Sequence, residues 1–284
     1  MGVGNRSAEK EIMKRLLTIQ DISCVGQCST TVALPLVSAC GVECAVLPPA
    51  ILSNHTGGFK TWSFADLTDE ISKVEAKWIE LGIKFDAFYT GYVCESHIDP
   101  ILSVMKTCAK PGALRFVDPV MGDNGKLYAG FTADFPAKMA RLVKGADYVL
   151  PNLTEAALLV GDAPKMTLDR GEVERLVWRI HALGAKNVVL TGVSFDDDLL
   201  GSAVSDGRSV VYDFNSRLDR PSHGTGDIFA SVFSGAVLRG KTAADAAALA
   251  ADIVCAAIEA TEADHWYGVC FERAIPAVVR AFGG

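Results

Sequence analysis

The chain has 284 residues, and half of them are hydrophobic, so it can bury a large core in one α/β domain or in two small ones. Its formal charge of −7, with no basic stripe along the chain, argues against nucleic acid as a partner. The longest apolar region, "AADAAALAADIVCAAI", is interrupted by Asp245 and Asp252 and predicts a buried helix, not a membrane span.

The chain begins with a polar stretch that has no apolar core of a signal peptide. We predict that residues 1–15 are a flexible extension, that residues 16–284 form a single domain, and that the protein is cytoplasmic. No linker in the sequence favours two domains.

Eight cysteines are scattered through predicted strands and helices, as expected in a reducing compartment. Cys24, Cys28, Cys40 and Cys44 form two C-x3-C pairs. Zinc sites use tighter spacings in turn-rich surroundings, so these pairs are interpreted as buried thiols.

Short apolar runs alternate with amphipathic segments along the chain. In order they are "RLLTIQDI", "TTVALPLVSAC", "CAVLPPAIL", "LTDEISKVEAKWIEL", "FDAFYTGY", "IDPILSVMKTCA", "LRFVDPV", "ADYVLPN", "TEAALLV", "EVERLVWRIHALG" and "NVVLTG". Strands that are apolar throughout and alternate with helices predict a doubly wound α/β fold, a mostly parallel sheet with helices on both faces. "GSAVSDGRSVVYDF" breaks the alternation and predicts a hairpin added at the sheet edge.

Polar residues follow several of these strands, where doubly wound sheets bind their ligands. Asp118 ends one apolar run, and "GDNGK" behind it is expected to be a loop carrying Asp123. Two carboxylates there suit Mg²⁺ that bridges phosphates, although a solvated turn would also explain these residue types. Asn152 and Glu155 stand at the next strand end and could order magnesium through water, or could simply cap a helix.

The segment "SHGTGDIF" puts Asp227 in front of an apolar run with helical spacing, and Gly240 follows where a left-handed cap is expected. Two glycines before a helix let backbone N–H groups converge on an anion, with a carboxylate at the rim. The helix dipole is expected to lower the pKa of that carboxylate. An ordinary helix cap is the alternative interpretation of Asp227.

A literal phosphate-loop pattern, "GAVLRGKT", spans residues 235–242 but is rejected. That motif must follow a strand and form a glycine-rich loop, whereas here it continues the helix begun at Asp227. Thr242 and Asp245 are instead typical of a cap on the next helix.

Taken together, these motifs resemble those of the ribokinase superfamily. Within it, "SNHTGGFKTW", "TGY", "DPVMGDNGKLY", "PNLTEAALL" and "GTGDIFAS" look like the pyridoxal kinase branch and cover most of residues 16–240. The resemblance implies ATP-dependent phosphorylation of the 5′-hydroxymethyl group of vitamin B6 (pyridoxal, pyridoxine or pyridoxamine). It also implies a homodimer, and it leaves dependence on a monovalent cation open.

The resemblance also assigns roles to residues. It makes Asp227 the catalytic base, with the phosphoryl group lined by Gly224, Thr225 and Gly226. By motif, Thr56 and Tyr92 hold the pyridine ring and Tyr128 lies in the lid. His55 belongs to "SNHT" and, apart from the resemblance, is interpreted as orienting that loop. The remaining assignments are Asp118, Asp123, Asn152 and Glu155 to magnesium and phosphate, Thr191 and Gly192 to the nucleotide, and residues 214–223 to the vicinity of adenine.

The chain departs from the family pattern after its first strand, where Asp21 replaces the usual Ser. A carboxylate there would favour a protonated ring nitrogen or a substrate amine, unless it faces solvent or caps "STT". Leu150 also stands where the family often has Thr. Two rival functions are kept: hydroxymethylpyrimidine kinase, which shares fold, metal and reaction type, and a pyridoxal-binding protein without turnover.

Overall fold

The computed structural model describes residues 12–218, 220 and 223–283. Within them the strands are β1 (Arg15–Ile19), β2 (Ile22–Ser23), β3 (Glu43–Val46), β4 (Ala50–Leu52), β5 (Phe64–Asp66), β6 (Phe85–Thr90), β7 (Ala109–Val117), β8 (Gly122–Asp123), β9 (Lys126–Leu127), β10 (Tyr148–Val149), β11 (Asn187–Val193), β12 (Leu199–Ser205) and β13 (Val210–Ser216). The helices are α1 (Thr30–Ala39), α2 (Thr68–Glu80), α3 (Ile98–Thr107), α4 (Phe135–Val143), α5 (Leu153–Leu159), α6 (Arg170–Ala182), α7 (Thr225–Leu238), α8 (Ala243–Ala260) and α9 (Ile275–Ala281). Single 3₁₀ turns lie at Glu95–His97 and Phe271–Arg273.

The main sheet has eight strands in the order β13-β12-β11-β10-β7-β6-β1-β3. The six strands from β11 to β3 are parallel, and β12 and β13 join them antiparallel. This confirms the predicted α/β fold, including the edge hairpin. The alternation of apolar runs with amphipathic segments predicted this fold correctly, because strands covered on both faces are apolar along their whole length.

Helices cover both faces of this sheet, each over its own core. Phe88, Phe135 and Ile180 belong to the core under α2 to α6. Phe116 and Phe233 belong to the core on the opposite face, under α1 and α7 to α9. This arrangement, a sheet between two layers of helices, leaves the carboxyl ends of the parallel strands free to form a site.

A second sheet, β2-β4-β5, was not predicted. It pairs β2 with β4 in parallel and β4 with β5 antiparallel. Its strands are two or three residues long, too short for a periodic pattern to reveal. Ser23 of β2 and Leu52 of β4 line the cavity described below.

The helix after "HGTG" forms as predicted. α7 runs from Thr225 to Leu238, through the rejected phosphate-loop pattern, and Gly240 has a φ of 89°. Thr242 caps α8 by accepting the N–H of Asp245. Among the described residues, no helix is both long enough and apolar enough to cross a membrane.

The cysteines are all free, and one differs from expectation. Cys40 is buried and Cys28 and Cys44 are partly buried, but Cys24 is exposed because it follows β2 at a surface bend. The interpretation as buried thiols is therefore wrong for Cys24. Of the predicted N-terminal extension, residues 1–11 lie outside the described residues, and the single domain stays a prediction.

Candidate functional site

A cavity of about 710 Å³ opens at the carboxyl ends of the parallel strands. Its size is that of a small-molecule site. Every site residue predicted from the sequence lines it: Asp21, Thr56, Tyr92, Asp118, Asp123, Tyr128, Asn152, Glu155, Thr191, Gly192, Gly224, Thr225, Gly226 and Asp227. The fold therefore brings together residues that lie up to about 200 positions apart in the chain.

Asp227 lies in the first turn of α7, with its carboxyl group in the cavity. The helix cap is Gly224 and not Asp227, so the cap interpretation of Asp227 is wrong. Gly224 has a φ of 84°, and a Cβ there would lie 1.7 Å from the carbonyl oxygen of Gln27. Only glycine fits that approach.

Burial raises the pKa of Asp227 to about 7, and the nearby charge of Asp21 adds to the rise. A hydrogen bond from the Ser29 N–H opposes it. The expectation that the helix dipole would lower this pKa is wrong, because desolvation outweighs it. A carboxyl group that titrates near neutral pH is suited to accept a proton.

Gly226 presents its backbone to open space. An added Cβ at this position would meet no atom within 4 Å. Together with Thr225 it begins α7, where the first N–H groups have no partner inside the helix. The start of α7 can therefore receive an anion in the cavity.

Ser29 is a site residue that the sequence analysis missed. It is nearly buried, it lines the cavity, and its backbone has φ 56° and ψ −135°, an uncommon conformation outside glycine. Its backbone N–H lowers the pKa of Asp227 and its hydroxyl lowers the pKa of Asp21, so Ser29 lies beside both carboxyl groups. The position of Ser29 immediately before α1 was the available signal, since Ser is a preferred residue there.

Asp21 is 2% exposed and lines the cavity, so the solvent-facing interpretation is wrong. The Ser23 hydroxyl donates to its carboxylate at 2.8 Å. Burial raises the pKa of Asp21 above its ordinary value, against the lowering effect of the hydroxyl hydrogen bonds. Its side chain does not cap α1, because the cap position, Ser29, makes no side-chain capping bond and Asp21 offers only its carbonyl to Thr30.

Asp118 and Glu155 form a second buried acidic group across the cavity. Burial raises the pKa of Asp118 well above its ordinary value, and the charges of Glu155 and Asp227 add to the effect. Burial also raises the pKa of Glu155, against hydrogen bonds from backbone N–H groups. These carboxyl groups resist carrying negative charge together, so a cation is the ligand that would relieve them.

Asn152 and Glu155 already have backbone partners. Asn152 Oδ1 accepts the N–H of Glu155 and Glu155 Oε2 accepts the N–H of Asn152, each at 2.9 Å, which is a capping box on α5. The remaining groups are also engaged: Glu155 Oε1 accepts the N–H of Met121, and Asn152 Nδ2 donates to the Gly122 carbonyl. The helix-capping interpretation is thus confirmed for both residues, and a magnesium role would have to act through water.

Asp123 lies in a short antiparallel hairpin, β8-β9, and not in the predicted loop. Its turn is Asn124-Gly125, both with positive φ, as hairpin turns require. The Asp123 carboxylate accepts the N–H of Asn124 at 2.7 Å. Over the described part of the chain, no three His, Cys, Asp or Glu side chains stand close enough together to hold a metal ion directly.

Thr56, Tyr92 and Tyr128 line the end of the cavity assigned to the pyridine ring, together with Trp62, which the sequence analysis did not single out. Tyr92 packs against Phe131, with ring centroids 5.5 Å apart. Cys28 also lines the cavity, and burial raises the pKa of its thiol well above the ordinary value.

The opposite end of the cavity holds Thr191 and Gly192 and extends between the β12-β13 hairpin and α8. The residues there that the sequence analysis missed are Leu200, Gly201, Ser202, Ala251, Val254, Cys255 and Ile258. Of the predicted stretch 214–223, Asn215, Ser216, Leu218 and His223 line the cavity, while residues 219, 221 and 222 lie outside the described residues. No sequence signal marks this wall, because α8 reaches it only through tertiary packing.

Among the residues that the structure describes, two buried polar atoms in this wall have no hydrogen-bond partner, Ser202 Oγ and Asn215 Oδ1. The amide orientation of Asn215 follows from its neighbour, since Nδ2 donates to Asp252 Oδ1 at 2.9 Å and a carboxylate only accepts. Buried polar atoms without partners are uncommon, and these two are buried atoms of residues that line the cavity.

Comparison with protein families matches residues 34–269 to a family described as phosphomethylpyrimidine kinase. Among curated proteins, a pyridoxal kinase of Dictyostelium discoideum is 27% identical over 252 residues, which cover 80% of each chain.

Solved structures are similar over nearly the whole chain. The crystal structure of pyridoxal kinase from Lactobacillus plantarum has a TM-score of 0.87 and 34% identity, covering 94% of this chain and 97% of that one. A Bacteroides thetaiotaomicron protein, crystallised in an orthorhombic form with pyridoxal, has a TM-score of 0.88 and 31% identity, covering 94% and 96%.

Proposed function

Since the chain belongs to the phosphomethylpyrimidine kinase family and to the pyridoxal kinase branch of the ribokinase-like superfamily, we propose that it phosphorylates the 5′-hydroxymethyl group of vitamin B6 with ATP. The observation that carries the proposal is the placement of Asp227. Its carboxyl group, with a pKa of about 7, lies beside the N-terminus of α7, where the first backbone N–H groups have no partner inside the helix. Both lie in a cavity large enough for a small acceptor and part of a nucleotide.

The reaction follows from that placement. The hydroxymethyl oxygen of the vitamer attacks the γ-phosphorus of ATP, the bond between that phosphorus and the β,γ-bridging oxygen breaks, and ADP leaves. Asp227, deprotonated, accepts the hydroxyl proton, which a loose transition state releases late. The N–H groups at the start of α7 stabilise charge on the transferring phosphoryl oxygens.

Ser29 lies beside the base, and its backbone N–H favours the charged form of Asp227 by lowering the pKa. The uncommon backbone conformation of Ser29 occurs where α1 begins, and its carbonyl accepts the N–H groups of Val32 and Ala33. Asp21 lies near Asp227, and we assign to it a hydrogen bond with the ring nitrogen or the 4′-substituent of the vitamer.

The proposal includes bound Mg²⁺ because the cavity is lined by acidic side chains. Five carboxylates line it, from Asp21, Asp118, Asp123, Glu155 and Asp227. A triphosphate would be repelled by them without a cation, and when bound Mg²⁺ would neutralise phosphate charge and orient the γ-phosphoryl group. Asp118 would hold it most directly, with Asn152 and Glu155 acting through water.

ATP would enter from the β12-β13 side, over Thr191 and Gly192. The base would lie against Val254 and Ile258 of α8. The cytoplasmic location, the homodimer and the possible use of a monovalent cation are carried over from the resemblance and belong to the proposal.

Hydroxymethylpyrimidine kinase is the second candidate, because the matching family is described as phosphomethylpyrimidine kinase, which acts on a related pyrimidine. The family resemblance gives that enzyme Cys in place of Asp227, so the carboxylate favours the vitamer kinase. A pyridoxal-binding protein without turnover would need neither Asp227 nor the open start of α7.

A coupled assay of ADP release tests the proposal, with pyridoxal, pyridoxine, pyridoxamine and hydroxymethylpyrimidine as acceptors at saturating Mg²⁺ and ATP. We expect turnover with at least one B6 vitamer and a kcat/KM at least tenfold lower with hydroxymethylpyrimidine. Vitamer binding without ADP release would support the non-catalytic alternative, and a preference for hydroxymethylpyrimidine would support the second kinase.

A further inference from the structure

The segment between α8 and the last 3₁₀ turn, residues 261–270, forms a compact loop that we name the strap. Its own hydrogen bonds hold its shape: the Thr261 hydroxyl accepts the N–H of Cys270 at 2.9 Å, and His265 Nδ1 lies 2.7 Å from the Gly268 carbonyl. No motif in the sequence marks this segment, "TEADHWYGVC".

His55 connects the strap to the loop that carries Thr56. Its Nδ1 accepts the N–H of Gly57 at 3.0 Å, which fixes the neutral tautomer with the proton on Nε2. Nε2 then donates to the carbonyl of Tyr267 at 2.6 Å, across 212 positions of sequence. Both nitrogens of a side chain that is only 5% exposed are thus committed to backbone groups of two separate segments.

The same strap holds the phosphoryl side of the cavity. Two residues beyond Tyr267, the N–H of Val269 donates to the carbonyl of His223 at 3.2 Å. His223 directly precedes Gly224, the cap of α7. Neighbouring backbone groups of one segment therefore reach the loop assigned to the vitamer and the loop assigned to the phosphoryl group.

The residues around these contacts are so closely packed that three glycines have no room for a side chain. A Cβ at Gly26 would lie 1.9 Å from the His55 ring, and one at Gly57 would lie 2.9 Å from the His223 ring. A Cβ at Gly268 would lie 2.5 Å from Gln27 Cβ. On the outer side, the Phe59 and Trp266 rings pack with centroids 4.8 Å apart.

We propose that the strap, through His55, couples the loop that carries Thr56 (the vitamer loop) to the loop that carries His223 and Gly224 (the phosphoryl loop). His55 is then a positioning residue for both substrate binding and phosphoryl transfer. The inference rests on the proposed function and deepens it. It concerns an interaction with backbone groups, and His55 itself takes no part in the chemistry.

Two substitutions separate the two hydrogen bonds of His55. His55→Asn keeps an acceptor near the place of Nδ1 but cannot reach Tyr267, whereas His55→Gln places a donor near Nε2 and can keep the bond to the strap. Gly268→Ala displaces the strap without touching His55. Gly171→Ala, in α6 and away from the cavity, is the matched control for a glycine replacement.

We expect His55→Asn and Gly268→Ala to raise the KM for the vitamer and to lower kcat, each by about five- to tenfold, because a buried hydrogen bond is lost at the junction of both loops. His55→Gln should stay within about threefold of the wild type in both constants, and Gly171→Ala should match the wild type. A rise in KM alone, or equal losses in His55→Asn and His55→Gln, would refute the coupling.

Hydrogen–deuterium exchange gives a readout that does not depend on turnover. In His55→Asn and Gly268→Ala, peptides covering residues 53–59 and residues 223–229 should both exchange faster, while in His55→Gln neither should change. Faster exchange in residues 53–59 alone would overturn the inference. If the wild-type protein phosphorylates no vitamer, the proposed function fails, and this exchange pattern still decides whether the strap couples the two loops.

Discussion

Replacing Asp21 by Ser tests the departure of this chain from its family at the vitamer end of the cavity. Asp21 is almost fully buried, and the Ser23 hydroxyl donates a hydrogen bond to its carboxylate. With its position fixed in this way, its carboxylate can form a charge-assisted hydrogen bond to a protonated aminomethyl group or ring nitrogen.

The size of the effect follows from that burial. A charge-assisted hydrogen bond is worth about 1.5–3 kcal/mol, which corresponds to a factor of about 10 to 150 in kcat/KM. The loss should be largest for pyridoxamine, whose 4′-aminomethyl group carries a positive charge, and smallest for pyridoxal. Asp21→Asn is the matched control, because it keeps the shape and removes the charge, and it should follow Asp21→Ser.

Steady-state kinetics with the three vitamers at one pH measure this selectivity. A second effect is expected in the pH profile: the charge of Asp21 raises the pKa of Asp227, so its removal should move the acid limb of kcat/KM to lower pH. Equal losses for all three vitamers, with an unmoved acid limb, would show that Asp21 does not read substrate charge.

Three further perturbations follow from the site. Asp227→Asn should keep vitamer and nucleotide binding, measured by calorimetry, but lower kcat by about a hundredfold or more; activity within about threefold of the wild type would remove Asp227 from the role of base. Glu155→Gln should raise the Mg²⁺ concentration for half-maximal rate because it removes negative charge behind the phosphates, and an unchanged magnesium titration in a folded variant would leave Glu155 as a capping residue alone. The pKa values of Asp118, Glu155 and Asp227 are raised in the folded protein, so folding favours their protonated forms. Their contribution to stability is fully present below their ordinary pKa values and is lost as pH rises through the raised pKa values. In EDTA, the Tm should therefore fall between pH 6 and pH 8.5, and it should fall less in Asp118→Asn; the same pH dependence in both proteins would contradict this.

One physical reason explains why the sequence predicted the main sheet and those cavity-lining residues that follow its strands, whereas residues such as Thr56 and Tyr128 were assigned by the family resemblance. Parallel strands covered on both faces are apolar throughout, and their carboxyl ends meet at one edge, so polar residues that follow the strands, such as Asp118 and Asn152, must converge. The edge hairpin was visible for a related reason, because Asp206-Gly207 between two short β-like runs is a turn signal.

The features that were missed depend on contacts between distant segments. β2, β4 and β5 are too short to show a pattern, and the strap acts through backbone groups that no residue type reveals. The acid–base state of Asp227 was predicted in the wrong direction, because burial is a property of the folded cavity and not of the helix start. The engagement of Asn152 and Glu155 in a capping box left little of either side chain for a metal ion.

The Cys28 thiol lies at the cavity wall, where it could react with the aldehyde group of a bound pyridoxal. Pyridoxal and its phosphorylated product are electrophiles, and a thiolate beside them would form a covalent adduct and block turnover. Burial and the negative charges of Asp227 and Asp21 keep this sulfur protonated, and a neutral thiol is a poor nucleophile. The carboxylates proposed to serve proton transfer would therefore also keep this thiol unreactive towards the aldehyde group of the proposed substrate.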